Sequence, residues 1–187
     1  MKKLYIFSLG NPSDIEKNKY KYTRHNAARL LCNAFDFEKY NEENQNKKDE
    51  AASAASSDEK IILEYVTPDC YMNLSGKFIL NFINYKNINL NQVVIAYDDI
   101  DINFGDIKLS FGRNSGGHNG VESVIQNLKT KDFYRIRVGI GEKPIREMLL
   151  QDYVLSKLSE EEVKDLEGEA MKNKLEVKLK ELLDLVK

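Results

Sequence analysis

The amino-acid sequence predicts a single α/β domain in which a central sheet is covered by helices. Its 187 residues suffice for one domain with a sizeable core. Short strand-like apolar runs alternate with runs whose apolar residues recur every three to four positions, as on one face of a helix. A content of 42% hydrophobic and 31% charged residues is ordinary for a globular protein.

Five strands and four helices are predicted in order. The run at 133–140 alternates clearly, with Ile136 and Val138 on one face and Arg135 and Arg137 on the other. The predicted strands are 4–9, 61–66, 93–97, 107–111 and 133–140. The predicted helices are 26–35, 75–85, 119–128 and a C-terminal helix that begins at a capping box of Ser159 and Glu162, with Gly168 as a bend.

A polar tract at 41–60 has no periodic apolar face. We therefore expect a mobile connection or a hairpin tip within the domain, not a domain boundary.

The sequence shows no targeting or membrane signal. No apolar run approaches the roughly 20 residues of a membrane span, and the run after Lys2 and Lys3 is too short for a signal peptide. Cys32 and Cys70 lack metal-ligand spacing, so free thiols are the simplest interpretation, with a disulfide as the less favoured alternative. We expect a cytoplasmic protein without a membrane partner.

A glycine-rich turn, Ser115-Gly116-Gly117-His118-Asn119-Gly120, precedes the predicted helix 119–128. Free N–H groups and the helix dipole make such a helix start attractive to anions. Residues 108–146 carry eight Lys or Arg and three acids, a net charge of +5 in a chain whose net charge is −2. A basic flank suits a phosphate-bearing ligand, although a solvated strand and helix face explains the charge equally well.

Five polar clusters, including this turn, follow a strand or precede a helix, where open α/β sheets form their ligand crevice. His25 lies at a helix start, which disfavours imidazolium, so a neutral ring able to accept a proton near pH 7 is expected. Asp98, directly after the strand 93–97, is the carboxylate best placed to orient that ring. For an isolated histidine, a structural role is the commoner alternative.

An acidic cluster offers a different interpretation. Asp98, Asp99, Asp101 and Asp106 are ligand types for a hard metal ion, but no Glu follows at the position that the calcium loop needs. No His or Cys motif has zinc spacing, and no Ser or Cys lies in a nucleophile elbow. We expect neither a metal nor a cofactor.

Three asparagines are candidates for the same crevice. Carboxamides donate and accept hydrogen bonds without charge, which suits gripping peptide groups or stabilising an oxyanion. Each asparagine alone is more typical of a turn, so the hypothesis depends on their joint placement. They are Asn11, Asn73 and Asn119.

Six blocks in order, spanning residues 4 to about 155, resemble those of bacterial peptidyl-tRNA hydrolases. They are Leu9-Gly10-Asn11-Pro12, Tyr20-x-x-Thr23-Arg24-His25-Asn26, Pro68-x-x-Tyr71-Met72-Asn73-Leu74-Ser75-Gly76, Tyr97-Asp98-Asp99-Ile100-Asp101, Ser115 to Gly120, and Phe133-x-Arg135-Ile136-Arg137-Val138-Gly139-Ile140-Gly141.

The resemblance implies a twisted, mixed sheet of the phosphorylase/hydrolase-like type in a monomer. It implies cleavage of the ester that joins a peptide to the 3′-terminal ribose of tRNA, with the CCA end and acceptor stem as partner. His25 would activate water, Asp98 would orient the His25 ring, and Asn73 would assist catalysis. The residues implied to bind substrate are Asn11, Tyr20, Met72, Asn73, His118 and Asn119.

The chain departs from the family pattern at several positions. Ser8, Ser13 and Ala28 stand where glycine is usual, Cys70 stands where threonine is usual, and about four extra residues lie between Pro12 and Tyr20. The candidates for tRNA phosphate contacts are Lys108, Arg113 and Arg137, the last of which has covering the sheet as its alternative role.

Two other function classes compete with this interpretation. A non-catalytic RNA-binding module on the same fold would need neither His25 nor its orienting carboxylate. A peptidase or amidase is disfavoured by the basic flank and by the lack of a nucleophile or metal motif.

Overall fold

A computed structural model describes residues 2–12, 19–51, 60–142 and 147–186, and of residues 45–51 it describes the backbone alone. The strands form one five-stranded sheet in the order β2-β1-β3-β5-β4. Neighbouring strands are parallel except β4, which runs antiparallel to β5. The strands are β1 (Lys2–Ser8), β2 (Ile61–Val66), β3 (Val93–Asp99), β4 (Ile107–Phe111) and β5 (Tyr134–Gly139).

Seven α-helices lie in the described part of the chain. They are α1 (Ala27–Ala34), α2 (Phe37–Ala51), α3 (Ser75–Lys86), α4 (Asn119–Leu128), α5 (Leu150–Leu155), α6 (Glu160–Glu167) and α7 (Glu169–Leu185). Short 3-10 turns at Arg24–Asn26, Met72–Leu74 and Leu90–Gln92 precede α1, α3 and β3.

The sheet separates two apolar cores because successive side chains of a strand point to opposite faces. In β3, Val94 and Ala96 face the core that α1, α6 and α7 cover. Val93, Ile95 and Tyr97 face the second core, under α3 and α4. The result is a three-layer α/β/α arrangement, which confirms the predicted fold class.

The two helices over the second core cross at very close range. Gly76 in α3 donates its N–H to Ser123 Oγ of α4 at 3.0 Å. A Cβ at position 76 would lie 1.9 Å from the carbonyl oxygen of Ser123. Glycine is therefore required where α3 meets α4.

All five predicted strands are confirmed, with ends shifted by at most two residues. The predicted helices are also confirmed, and Gly168 separates α6 from α7. Ser159 and Glu162 form the predicted capping box, in which the Glu162 N–H donates to Ser159 Oγ at 3.1 Å. Both cysteines are free, as predicted.

The polar tract at 41–60 differs from its prediction as a connection or hairpin tip. Its first part belongs to α2, and residues 52–59 lie outside the described residues. Helix α2 is overwhelmingly polar, but Phe37 and Tyr40 of its first turn are buried in the core. Asn41 completes the attachment, because its side chain accepts from the Leu63 N–H at 3.0 Å and donates to the Leu63 carbonyl at 2.9 Å.

The short helix α5 was not predicted. Tyr153 is its single buried residue, so its sequence has no periodic apolar face that would indicate a helix. Within the described residues, no helix is long and apolar enough to cross a membrane.

Candidate active site

The candidate site lies at the carboxyl ends of β1 and β3, where a parallel sheet opens into a crevice. The loop after β1 contributes Asn11, and the end of β3 contributes Asp98. His25 reaches the same place from the 3-10 turn that precedes α1. The glycine-rich turn before α4 contributes His118. Four segments far apart in sequence thus converge.

His25 and Asp98 form a buried pair. Nδ1 of His25 lies 2.9 Å from both carboxylate oxygens of Asp98, and the two residues are only 7% and 3% exposed. Because an ionised carboxylate only accepts, Nδ1 carries the hydrogen and Nε2 is the basic nitrogen of the neutral ring. His25 lines a cleft together with Asp98, Arg113 and His118, and within the described residues Nε2 has no hydrogen-bond partner.

His118 is the second ring bound to Asp98. Its Nδ1 accepts from the N–H groups of Gly120 and Val121 at 3.1 and 3.2 Å, so it is the N-cap of α4. Its Nε2 must then carry the hydrogen, which it donates to Asp98 Oδ1 at 2.9 Å. The prediction of an anion site at this helix start is wrong for these two N–H groups, because the imidazole occupies them.

The contact between His25 and Asp98 shifts the pKa of both groups. Burial disfavours the ionised form of Asp98, but its electrostatic interactions and hydrogen bonds with His25 and His118 outweigh burial and hold its pKa well below the usual carboxyl range. Burial also opposes protonation of His25, yet the charge and hydrogen bond of Asp98 raise its pKa above 6.5. The contact with Asp98 therefore acts against the helix start, which disfavours imidazolium.

His25, Asp98 and His118 also bring potential metal-ligand atoms within 4.8 Å of one another. The hydrogen bonds disfavour that use. His118 Nδ1 is committed to α4, so the nitrogen that faces Asp98 carries hydrogen and offers no lone pair. The cluster is better suited to proton transfer than to metal binding.

Asn11 is fixed to the neighbouring segments. Its backbone N–H donates to Asn26 Oδ1 at 2.8 Å, and its own Oδ1 accepts from the Met72 N–H at 2.9 Å. A Cβ at Gly120 would lie 2.4 Å from Met72 Sδ and 3.1 Å from His118 Cε1. Asn11, Met72 and His118 therefore form one continuous wall.

The remaining predicted binding residues are less constrained. Asn73 and Asn119 are exposed, each beside a residue of that wall. Tyr20 packs edge-on against Tyr71, with ring centroids 6.3 Å apart. Of these three residues, Asn119 lines the cleft.

The cleft also includes two residues that the sequence did not predict. Leu150 and Val154 of α5 line it together with Asp98 and His118. Their signal in the sequence was weak because α5 spans only six residues. They give the cleft an apolar margin.

The basic candidates occupy different environments. Lys108 and Arg113 are exposed, and Arg113 lines the cleft. Arg137 is 6% exposed and its Nε donates to Asp99 Oδ2 at 2.7 Å, so its charge is neutralised. This contact favours the alternative in which Arg137 covers the sheet. Lys143 and Arg146, counted in the basic region, lie outside the described residues.

A clasp that the sequence did not predict joins the His25 segment to the C-terminal helices. Arg24 donates through both terminal nitrogens to Glu162, at 2.7 and 3.1 Å. The same guanidinium lies over the Tyr153 ring, 5.0 Å from its centroid. The Arg24 N–H also donates to the Ser156 carbonyl at 3.0 Å. His25 is thus held through the residue before it.

Arg135 plays a comparable part behind the glycine-rich turn. It is fully buried over the Phe133 ring, and it donates to the carbonyls of Arg113 and Asn114. These contacts fix the segment that leads into the turn.

The residues that depart from the family pattern fit their surroundings wherever they lie in the described part of the chain. Ser8 Oγ and Tyr65 Oη are 2.8 Å apart, so the hydroxyl of Ser8 has a partner. Ala28 is buried in α1, and Cys70 is half-buried. Ser13 and most of the extra residues before Tyr20 fall within 13–18, outside the described residues.

Comparison with known proteins agrees with the six blocks. The profile of a family described as Peptidyl-tRNA hydrolase matches residues 5–185. The peptidyl-tRNA hydrolase of Bacillus subtilis (strain 168) is 39% identical over 165 residues, 88% of this chain and 84% of the relative. That of Clostridium tetani (strain Massachusetts / E88) is 37% identical over 164 residues, 87% and 82% of the two chains.

A crystal structure of a peptidyl-tRNA hydrolase in complex with N-propanol is similar over 98% of this chain and 91% of that chain, with a TM-score of 0.69 and 25% identity. The structure of a single-residue variant of peptidyl-tRNA hydrolase from Acinetobacter baumannii is similar with a TM-score of 0.70 at 24% identity. At that identity, the similarity concerns the fold alone.

Proposed function

This chain belongs to the peptidyl-tRNA hydrolase family and hydrolyses the ester bond of peptidyl-tRNA, and we propose that His25 is the general base of that reaction. The observation that carries the proposal is the buried Asp98 carboxylate bound to His25 Nδ1. This contact leaves Nε2 as the nitrogen that accepts a proton at the cleft.

In the proposed reaction, His25 Nε2 removes a proton from a water molecule as that water attacks the ester carbonyl. Asp98 stabilises the imidazolium that results. When the bond between the carbonyl carbon and the ribose oxygen breaks, the imidazolium returns its proton to that oxygen. The peptide leaves with a free carboxyl group, and tRNA leaves with its 3′-terminal hydroxyl restored.

His118 has a different role in this scheme. Both of its nitrogens are engaged, one by α4 and the other by Asp98. It therefore positions Asp98 and forms the wall against which substrate binds. Its neighbour Asn119, together with Asn11, Met72 and Tyr20, is proposed to bind the peptide and the CCA end.

The tRNA itself is proposed to lie across the basic flank. Lys108 and Arg113 are exposed and fit contacts with acceptor-stem phosphates, whereas the buried Arg137 is the weakest of the three candidates. We propose that the protein works as a monomer in the cytoplasm, without a metal or other cofactor.

The test of this function compares two substrates, an N-blocked aminoacyl-tRNA and its unblocked form, each with and without a chelator. We expect cleavage of the blocked ester alone, at a rate that the chelator leaves unchanged. Tight tRNA binding without turnover would instead support a non-catalytic RNA-binding module.

The raised pKa of His25 predicts the direction of the pH dependence. A protonated ring cannot accept a proton, so kcat/KM for the blocked substrate should fall as pH is lowered through a midpoint above 6.5. The measurement is kcat/KM against pH, corrected for uncatalysed ester hydrolysis. A midpoint at or below 6.5 would contradict the assigned effect of Asp98 on this ring.

Asn73→Ala should lower kcat on the order of 10²–10³-fold if Asn73 donates to the oxyanion that forms during attack. The side chain is exposed, so its removal leaves no cavity in the core. Steady-state kinetics on the blocked substrate provide the measurement. Asn81→Ala, at an exposed position of α3, serves as a control that should retain full activity. A wild-type kcat in Asn73→Ala would remove Asn73 from the mechanism.

A further inference from the structure

Arg29 is a buried cation that the mechanism above does not use. It lies in α1 and is 6% exposed. Within the described residues, no carboxylate forms an ion pair with it, and burial lowers the pKa of its guanidinium. A buried charge without an ion partner is unfavourable for folding, so its presence needs another explanation.

Carbonyl oxygens of two separate segments surround the Arg29 guanidinium. One terminal nitrogen donates to the Asn11 carbonyl at 2.9 Å. The other donates to the carbonyls of Gly10 at 2.9 Å and Pro68 at 2.8 Å, with Ser8 farther away at 3.4 Å. The planar guanidinium holds its N–H donors in a fixed geometry and can therefore bind both segments at once. A lysine ammonium on its flexible side chain is less suited to this.

The two segments carry the proposed substrate-binding wall. The first contains Asn11, and the second leads from Pro68 to the turn Met72–Leu74. Asn11 Oδ1 joins them a second time at the Met72 N–H. Arg29 also requires glycine at position 10, because a Cβ there would lie 2.7 Å from its Nε.

We propose that Arg29 is a positioning residue for substrate binding, which fixes the Asn11 loop and the Pro68–Met72 segment relative to each other. The inference rests on the proposed role of Asn11 and Met72 in binding peptidyl-tRNA. Within the described residues the Arg29 guanidinium donates to neither His25 nor Asp98, so its effect should be on KM and not on proton transfer.

The experiment compares wild type with Arg29→Met and Arg29→Lys in the hydrolysis of an N-acetyl-aminoacyl-tRNA. Because a misplacement of about 1 Å can cost on the order of 10²-fold, we expect kcat/KM of Arg29→Met to fall by about that factor, mainly through KM. Arg29→Lys should remain impaired. The pH midpoint of kcat/KM should stay at its wild-type value, since the pair of His25 and Asp98 is untouched.

Cys32→Ala is the matched control, because it perturbs the packing of the same helix at a residue that belongs to the apolar core covered by α1, α6 and α7. It should retain wild-type kcat/KM, and circular dichroism should show each variant folded. Wild-type kcat/KM in Arg29→Met or Arg29→Lys, or a shifted pH midpoint, would overturn the inference. Failure of both variants to fold would also overturn it, by making Arg29 a folding residue. An inactive wild-type chain would instead refute the proposed function, and the inference would fall with it.

Discussion

His25→Ala is expected to lower kcat for an N-blocked aminoacyl-tRNA by about 10²–10⁴-fold, the usual contribution of general-base catalysis. The alanine variant keeps the wall formed by Asn11 and Met72, so substrate binding should change much less than kcat. The substitution also removes the ring whose raised pKa causes the predicted fall in kcat/KM at low pH. The residual rate should therefore lose the pH dependence of the wild type.

Single-turnover and steady-state kinetics, with circular dichroism to establish folding, measure this effect. Imidazole added to the solution should restore part of the turnover, because the cavity left by His25 faces the cleft. Asp106→Asn, in an exposed ion pair with Lys174, is the control that should behave as wild type. An intact kcat in His25→Ala would refute the base assignment.

Asp98→Asn should have a comparable effect although it changes no atom that touches substrate. The carboxylate accepts from Nδ1 of His25 and from Nε2 of His118. A carboxamide offers one oxygen and two N–H donors, so it cannot preserve both contacts and can turn its amide toward His25. A ring held in the wrong tautomer loses its basic Nε2, and we expect a fall in kcat of about 10²–10⁴-fold.

Two further measurements separate this explanation from a loss of folding. The His25→Ala, Asp98→Asn double variant should be about as slow as either single variant, because both remove the same function. Any residual acid limb in Asp98→Asn should move to lower pH, since the charge that raises the pKa of His25 is absent. Multiplicative losses in the double variant would show that the two residues act independently.

Much of this architecture could be predicted because its signals are local. The alternation around Ile136 and Arg137 fixes the faces of β5, and Asn119 begins α4 where the glycine-rich turn ends. His25 and Asp98 were expected to meet because polar residues at strand ends converge in an α/β crevice. Their contact at 2.9 Å confirms that geometric expectation, while their chemical roles stay predictions.

What could not be predicted depends on partners distant in sequence. The polar helix α2 is stabilised by the pairing of Asn41 with the edge strand β2, which no periodicity reveals. The sign of the pKa shift of His25 depends on its contact with Asp98, 73 residues away. The bond of His118 Nδ1 to α4 depends on a ring orientation that only the folded turn defines.

The clasp between Arg24 and Glu162 has a consequence for when activity can arise during synthesis. Its two residues are separated by 138 positions, and it anchors the segment that carries His25. Ribosomes deliver a chain from its N-terminus, so His25, Asp98 and His118 all emerge before the helix that secures the first of them. A growing copy of this protein is itself a peptide esterified to tRNA, and its His25 segment becomes fully anchored only after Glu162 has been synthesised.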